Sequence, residues 1–160
     1  MAGYGDDTAF AAWLDGQGFS LPAGAPTPAA LRQRGSGYVD AYCFPGVPTG
    51  GFTQERAWPR TGAEAYGQAI PADTIPAAIE QAAYAAGYFE ATNPGALTTK
   101  SVLDPQVKRK KERVEGVVEE ETEYFAAATE ATGVVTVPMV EALLKPFLGE
   151  DASFPAVFVV

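Results

Sequence analysis

The chain of 160 residues carries a net charge of −9, with 20 acidic and 11 basic residues and no histidine. Affinity for nucleic acids comes mostly from lysine and arginine side chains that neutralise phosphates, so this excess of acids argues against a general nucleic-acid binder. Without an imidazole there is no histidine-based acid–base relay, catalytic triad or metal site, and we expect neither an enzyme nor a bound cofactor.

The length fits one domain, and a hydrophobic fraction of 47% fits a globular protein with its own core. Much of that fraction is alanine, which favours closely packed helices. No apolar run approaches the roughly 20 residues that span a bilayer, and residues 1–7 lack the pattern of a secretion signal. We therefore expect a soluble protein made in the cytoplasm, in which the single cysteine, Cys43, is a small buried residue.

The first predicted helix covers residues 8–15. The run from Asp6 to Thr8 supplies capping side chains, and glycines at 16 and 18 end the helix. Apolar side chains recur at the spacing of one helical face, which predicts that this face is buried. These side chains are Phe10, Trp13 and Leu14.

A second helix is predicted to begin at Thr27 and Pro28, because a capping residue is followed there by proline at the first helical position. The pattern continues towards Tyr42. Gly35 and Gly37 are expected to weaken the middle of this helix.

Residues 44–72 are rich in glycine and proline and predict a long ordered loop. Trp58 precedes Pro59, and proline restricts the residue before it to an extended backbone. We expect Trp58 to be buried under the helix that follows the loop and to fix the loop to that helix. The candidate structural motif is Gln54, Trp58, Pro59 and Arg60.

The clearest helix is predicted over residues 76–92, with Asp73 and Thr74 as candidate caps and a stop at 93–95. Its apolar face is made largely of alanine, which would let another helix approach closely. The residues of this face are Ile75, Ile79, Ala82, Ala83, Ala86 and Phe89.

Residues 107–125 allow two interpretations. The spacing of Val107, Val114, Val118 and Phe125 permits a helix, whereas the branched pair 117–118 and the alternation at 122–124 agree with strands. In a projecting ribbon, opposite charges at the two ends would allow head-to-tail pairing between neighbouring subunits. The candidate inter-subunit residues are Lys108, Arg109, Lys110, Lys111, Glu119, Glu120, Glu121 and Glu123.

A last helix is predicted from Pro138 through Phe147, closed by Gly149. The segment 150–160 that follows is apolar and prone to form a strand, so it either folds back onto its own core or docks on a partner by strand addition or pocket insertion. The candidate docking residues are Phe154, Pro155, Val157, Phe158, Val159 and Val160.

Several short motifs occur in an order that resembles a family of tailed-phage proteins. They are Tyr38-Val39-Asp40, Phe44-Pro45-Gly46, Gln54 with Trp58-Pro59-Arg60, Ile75-Pro76, Glu112-Arg113-Val114 with Gly116 and Tyr124, and Pro138-x-Val140-x-x-Leu143-Leu144-x-Pro146. The family is often labelled "putative DnaT-like ssDNA-binding protein", and by position and assembly its members resemble head–tail connector, adaptor or head-completion proteins. The resemblance covers roughly residues 6–148.

The resemblance implies strands at 107–125 and a structural role in the virion neck, with assembly in the host cytoplasm. The implied partners are the portal protein, further copies of the chain in a dodecameric ring, and a tail, stopper or terminator protein below. Genomic DNA would pass through the lumen without specific binding, and the C-terminal segment 150–160 would dock on the portal. The label itself implies the alternative function, a single-stranded-DNA-binding module of the replication type.

Taken together, the sequence predicts a mostly α protein. We expect a small helical bundle with a long Gly/Pro-rich loop, a short β-hairpin or ribbon and an extended C-terminal tail. The helical connector domain is assigned to residues 1–149, with its β element near 107–125, and the docking tail to residues 150–160.

Overall fold

The computed structural model describes residues 2–97 and 135–149 in full, and residues 107–111 and 121–124 at the level of the backbone. The first two ranges belong to one compact unit, here called the helical unit. The other two ranges form a second compact unit, the β unit. The predicted docking tail at 150–160 lies outside the described residues.

Four α-helices build the helical unit, in agreement with the predicted fold class. Two of them begin with the predicted caps: Asp6 accepts a hydrogen bond from the Ala9 amide at 2.8 Å, and Thr27 accepts one from Ala30 at 3.3 Å. No helix among the described residues is long and apolar enough to cross a membrane. The helices are α1 (Asp7–Gln17), α2 (Pro28–Asp40), α3 (Ala77–Thr92) and α4 (Pro138–Leu144), and a 3₁₀ turn at Lys145–Phe147 follows α4.

Helix α3 lies at the centre of the helical unit, and its residues 82–87 are all buried. One apolar cluster joins α3 to α4 and to the loop, and includes Ile79, Val140 and Leu144. A second cluster joins α3 to α1 and α2 through Tyr84 and Phe10. The predicted alanine-rich stripe is therefore part of a core that surrounds the helix.

The long loop between α2 and α3 is ordered by two small antiparallel sheets. Strand β1 (Val47–Pro48) pairs with β2 (Arg60–Thr61), and β3 (Glu64–Ala65) pairs with β4 (Gln68–Ala69). The turn between β3 and β4 consists of Tyr66 and Gly67, and both residues have positive φ angles, 53° and 72°. Such a pair is typical of a type I′ hairpin turn.

The β unit contains strands β5 (Val107–Lys111) and β6 (Glu121–Tyr124), which pair in antiparallel orientation. At these residues the chain forms strands, and the helical interpretation is wrong there. This small ribbon and the loop sheets are the β structure that the predicted fold class required.

Two local predictions are wrong. Asp73 and Thr74 do not cap α3: the N-cap residue is Pro76, and the Thr74 hydroxyl donates to Asp73 at 3.3 Å. The helix begins too late for either side chain to reach its first free amides. Cys43 is exposed, because Val39 and Phe44 take the buried positions on either side of it.

Candidate functional site

The predicted loop motif is held together by the buried side chain of Arg60. Its guanidinium binds backbone carbonyl oxygens from two stretches of the loop, and burial lowers its pKa from the ordinary value. The guanidinium therefore links these two stretches of the loop by hydrogen bonds. Nε donates to Pro45 (2.9 Å), Nη1 to Ala57 (3.1 Å), and Nη2 to Phe44 (2.9 Å) and Gly46 (2.6 Å).

Gln54 closes the same loop from the other side. Its amide nitrogen donates to the carbonyl oxygens of Arg56 at 2.7 Å and Pro59 at 3.0 Å. Its oxygen accepts a hydrogen bond from the Gly50 amide at 2.8 Å. All three of these hydrogen bonds join the side chain to the loop backbone, so Gln54 has a structural role here.

Trp58 is 1% exposed and lies in the cluster that includes Ile79 of α3, as predicted. Phe44 and Phe147 meet its indole edge-to-face, with ring centroids 5.5 and 6.0 Å away. The Trp58–Pro59 peptide bond is cis. An indole packed in this way is a core anchor, and it offers no free face for stacking on a nucleic-acid base.

A buried polar network fastens the N-terminal segment to the loop and to α2. The Tyr4 hydroxyl donates to Asp40 at 2.5 Å and accepts a hydrogen bond from the Trp58 amide at 3.1 Å. Asp40 also accepts from Arg56 at 2.9 Å and from the Ala57 amide at 3.0 Å. Burial, followed by the hydrogen bond to Asp40, raises the pKa of Tyr4 well above its ordinary value.

Two further polar contacts hold the chain where it leaves the helical unit and where it returns. Glu90 of α3, buried to 1% exposure, accepts hydrogen bonds from the amides of Gly95 and Leu97 and from Arg34, each at 3.0 Å. At the returning end, the Tyr38 hydroxyl donates to the carbonyl oxygen of Val135 at 2.7 Å. Arg34 and Tyr38 both belong to α2.

The chain matches the model of one known protein family over nearly its whole length. The model of that family, described as "Putative DnaT-like ssDNA binding protein", matches residues 4–160. The chain belongs to this family. No curated protein and no solved structure shows significant similarity to this chain.

The family's description raises the question of where a member would bind phosphates. The described residues of the helical unit include ten acidic and five basic residues, and four of the five are arginines. Two arginines bind backbone carbonyls and two pair with buried or half-buried carboxylates, so all four have internal partners, and of the three arginines in ion pairs only Arg34 has a side chain that is largely exposed, at 45%. The internal partners are Gly3, Tyr4, Gly5 and Asp7 for Arg32, Glu90 for Arg34, Asp40 for Arg56, and the loop carbonyls for Arg60.

The basic run at 108–111 lies on β5, opposite an acidic strand. In the register of the ribbon, Arg109 stands opposite Glu123 and Lys111 stands opposite Glu121. Lys110 is opposite Thr122, and Lys108 falls at an irregularity in the ladder. Opposite charges at facing positions stabilise an antiparallel pair. The basic run therefore belongs to a ribbon that carries both positive and negative charges.

The remaining predicted residues lie outside the described part of the chain. Among the inter-subunit candidates these are Glu119 and Glu120, and the docking candidates are Phe154, Pro155, Val157, Phe158, Val159 and Val160. Within residues 2–97 and 135–149, no group of three or more carboxylate or cysteine side chains is placed to hold a metal ion.

Sequence reasoning missed the contacts that use Arg34, Glu90 and Tyr38. A signal was present for Glu90, because a lone carboxylate interrupts an otherwise alanine-rich helical face. Such a residue needs internal hydrogen-bond partners, and the amides just beyond the helix end were the nearest candidates. Tyr38 occurs in the first motif of the family resemblance, but no pattern indicated its contact with Val135, and none identified Arg34.

Proposed function

We propose that the chain is a non-catalytic structural protein of a tailed phage, a head–tail connector that forms a ring between the portal and the tail. The observation that carries the proposal is the use of the arginines, since all four in the helical unit bind internal carbonyls or carboxylates. A wall built from such subunits offers few cations to DNA, as a conduit through which DNA slides requires. The order of the sequence motifs supports the same role.

The partners follow from this role. The portal protein would hold the ring, a tail, stopper or terminator protein would lie below it, and the complex would form in the host cytoplasm and remain in the virion neck. The net charge of −9 makes free copies repel one another, so the chain would be monomeric until the portal holds neighbours together. Residues 107–125 would contact the next subunit, and the segment 150–160 would dock on the portal.

Single-stranded-DNA binding is the second candidate. The family description names this activity, whereas no comparison names a connector. In this reading the four consecutive basic residues of β5 would supply the phosphate contacts. The glutamates opposite them on β6 would reduce that attraction, and Trp58 would contribute no stacking because it is buried.

Electron microscopy of the protein mixed with the portal protein from the same genome tests the connector. We expect an added ring that matches the symmetry of the portal. A variant that lacks residues 150–160 should keep its fold and lose this attachment. Attachment that survives the deletion would contradict the docking role of the segment, and the absence of a ring with the full chain would contradict the connector.

A titration with a labelled oligonucleotide tests the second candidate. A DNA-binding protein should lose affinity steeply as salt is raised, and replacing residues 108–111 by glutamine should flatten that dependence. The connector reading predicts no measurable binding at physiological salt. Tight, salt-sensitive binding that depends on β5 would favour the second candidate.

A further inference from the structure

The two ends of the stretch that carries the β unit are both linked to α2, the returning end directly and the outgoing end through Glu90 of α3. At the outgoing end, Glu90 binds the amides of Gly95 and Leu97 and is itself bound by Arg34 of α2. At the returning end, Tyr38 of α2 binds the carbonyl oxygen of Val135. We call Leu97 and Val135 the roots, and the residues between them the arm.

Arg34 and Tyr38 are four positions apart in α2, so they lie on one face of the helix, about 6 Å apart along its axis. One face of α2 therefore contacts both ends, through Glu90 at the outgoing end and directly at the returning end. The contacts are short and specific, at 3.0 Å for Arg34 to Glu90 and 2.7 Å for Tyr38 to Val135.

The spacing of the strands agrees with paired roots. Ten positions separate Leu97 from Val107, and eleven separate Tyr124 from Val135. Val107 and Tyr124 are themselves partners in the ribbon. The two stretches that join the roots to the ribbon thus contain nearly equal numbers of residues.

The buried carboxylate of Glu90 at the outgoing root is not explained by a gain in the stability of the fold. Glu90 is a carboxylate at 1% exposure on a helix whose neighbouring buried residues are mainly alanine. Burying a charge is unfavourable unless it is paired and hydrogen-bonded, and an apolar residue in its place is often neutral or better. What Glu90 adds over an apolar residue is a fixed path for the chain beyond α3.

We propose that Arg34, Glu90 and Tyr38 are positioning residues that hold the two roots as a pair, and that the arm's contact with a neighbouring copy depends on them. The contact with a neighbouring copy rests on the proposed function, whereas the pairing of the roots does not. We call residues 34–38 of α2, together with Glu90, the mount. Loosening one root should therefore loosen the other.

Amide hydrogen exchange in the full chain tests the pairing without any partner. Tyr38→Phe removes only the hydroxyl at the returning root, and we expect the amides of Gly95 and Leu97 at the outgoing root to exchange about tenfold faster. Tyr42→Phe is the matched control, because the Tyr42 hydroxyl lies 3.2 Å from that of Tyr38, whereas the hydrogen bond to Val135 comes from Tyr38. Unchanged exchange at Gly95 and Leu97 in Tyr38→Phe would overturn the pairing.

Assembly onto the portal tests whether the arm's contact with a neighbouring copy depends on the positioning residues. Tyr38→Phe and Arg34→Leu should each weaken ring formation about tenfold, roughly the effect of one hydrogen bond to a charged group or of one well-placed neutral one. Arg34→Lys should restore much of the loss, since it keeps a cation beside Glu90, and Tyr42→Phe should assemble as the unmodified chain does. The denaturation midpoint should change little in Tyr38→Phe, Arg34→Lys and Tyr42→Phe. Arg34→Leu should lower it, because the buried Glu90 loses its cation, so the assembly of Arg34→Leu is compared with that of Arg34→Lys.

The outcomes separate the two claims. If the unmodified chain forms a ring and both Tyr38→Phe and Arg34→Leu form it equally well, the positioning role is wrong and the connector stands. If the unmodified chain forms no ring with the portal, the connector is wrong, and the exchange rates at Gly95 and Leu97 still decide whether the roots are held as a pair.

Discussion

Gly35 of α2 lies directly against the backbone of α3 at Ala83. A Cβ at position 35 would be 2.1 Å from the Ala83 carbonyl oxygen and 2.7 Å from the Gly87 amide nitrogen. Gly87 returns the contact, since a Cβ there would lie 2.8 Å from the carbonyl oxygen of Leu31. The two helices therefore touch through their backbones, which only residues without side chains allow.

This contact predicts opposite effects for two glycines of the same helix. Gly35→Ala should destabilise the protein by about 2 kcal/mol or more, because a methyl group at this position forces the helices apart. Gly37→Ala is the control: a Cβ at Gly37 would meet nothing within 4 Å, and the change should stabilise α2 by about 0.5–1 kcal/mol. Urea denaturation of both variants measures the difference. Equal effects would contradict the close approach.

The sequence predicted the helices well and the role of these glycines poorly. Caps such as Asp6 and Thr27 act within one turn, so local sequence was sufficient to place α1 and α2. Gly35 and Gly37 look alike in the sequence, because only the partner helix distinguishes them. The alanine-rich face of α3 indicated that some helix would approach closely, but it did not identify which residue of α2 would be in contact.

Arg60 should be indispensable for the order of the loop. Arg60→Gln leaves buried carbonyl oxygens without the donors that now satisfy them, and we expect a loss on the order of 3 kcal/mol in the free energy of unfolding. Arg60→Lys should recover only part of it, because an ammonium cannot reproduce the planar fork. Denaturant unfolding checks both variants. Full stability in Arg60→Gln would show that the carbonyls find other donors.

The buried tyrosines should make stability fall at alkaline pH. Burial raises the pKa of Tyr4 and of Tyr84 above the value of 10.0 that applies to an exposed tyrosine. Above about pH 10 the unfolded chain loses these protons while the folded chain keeps them, so stability present below that pH is lost as pH rises. Each tyrosine contributes a slope of up to about 1.4 kcal/mol per pH unit.

Unfolding measured between pH 8 and 11 checks this dependence, with Tyr4→Phe as the comparison. The variant lacks one of the titrating groups, so its stability should fall less steeply above pH 10. Identical slopes for the two proteins would mean that Tyr4 ionises in the folded state as readily as in the unfolded one.

Tyr66 is at a position where asparagine or glycine would be better suited. Its φ of 53° is unfavourable for an aromatic residue, and the side chain is 84% exposed, so little burial offsets the cost. Tyr66→Asn should stabilise the protein by about 0.5–1 kcal/mol. Gly67→Ala, at φ 72°, should have the opposite sign. Thermal unfolding of the two variants measures both changes in stability. A lower stability in Tyr66→Asn would contradict the assigned turn.

The sequence identified the loop motif but not its chemistry. Trp58 before proline predicted a buried anchor, whereas the four carbonyl partners of Arg60 depend on how distant parts of the loop meet. The mount at Arg34 and Tyr38 was beyond reach for the same reason. Its partners lie 56 and 97 positions away in the sequence, and no short-range pattern relates them.

Native mass spectrometry of the protein with assembled portal from the same genome tests the central claim most directly. The account predicts a complex in which the number of bound copies equals the number of portal subunits, while the protein alone remains monomeric. Portal that binds no copies, together with a complex between the protein and a single-stranded oligonucleotide at the same ionic strength, would contradict it and support the activity named by the family description.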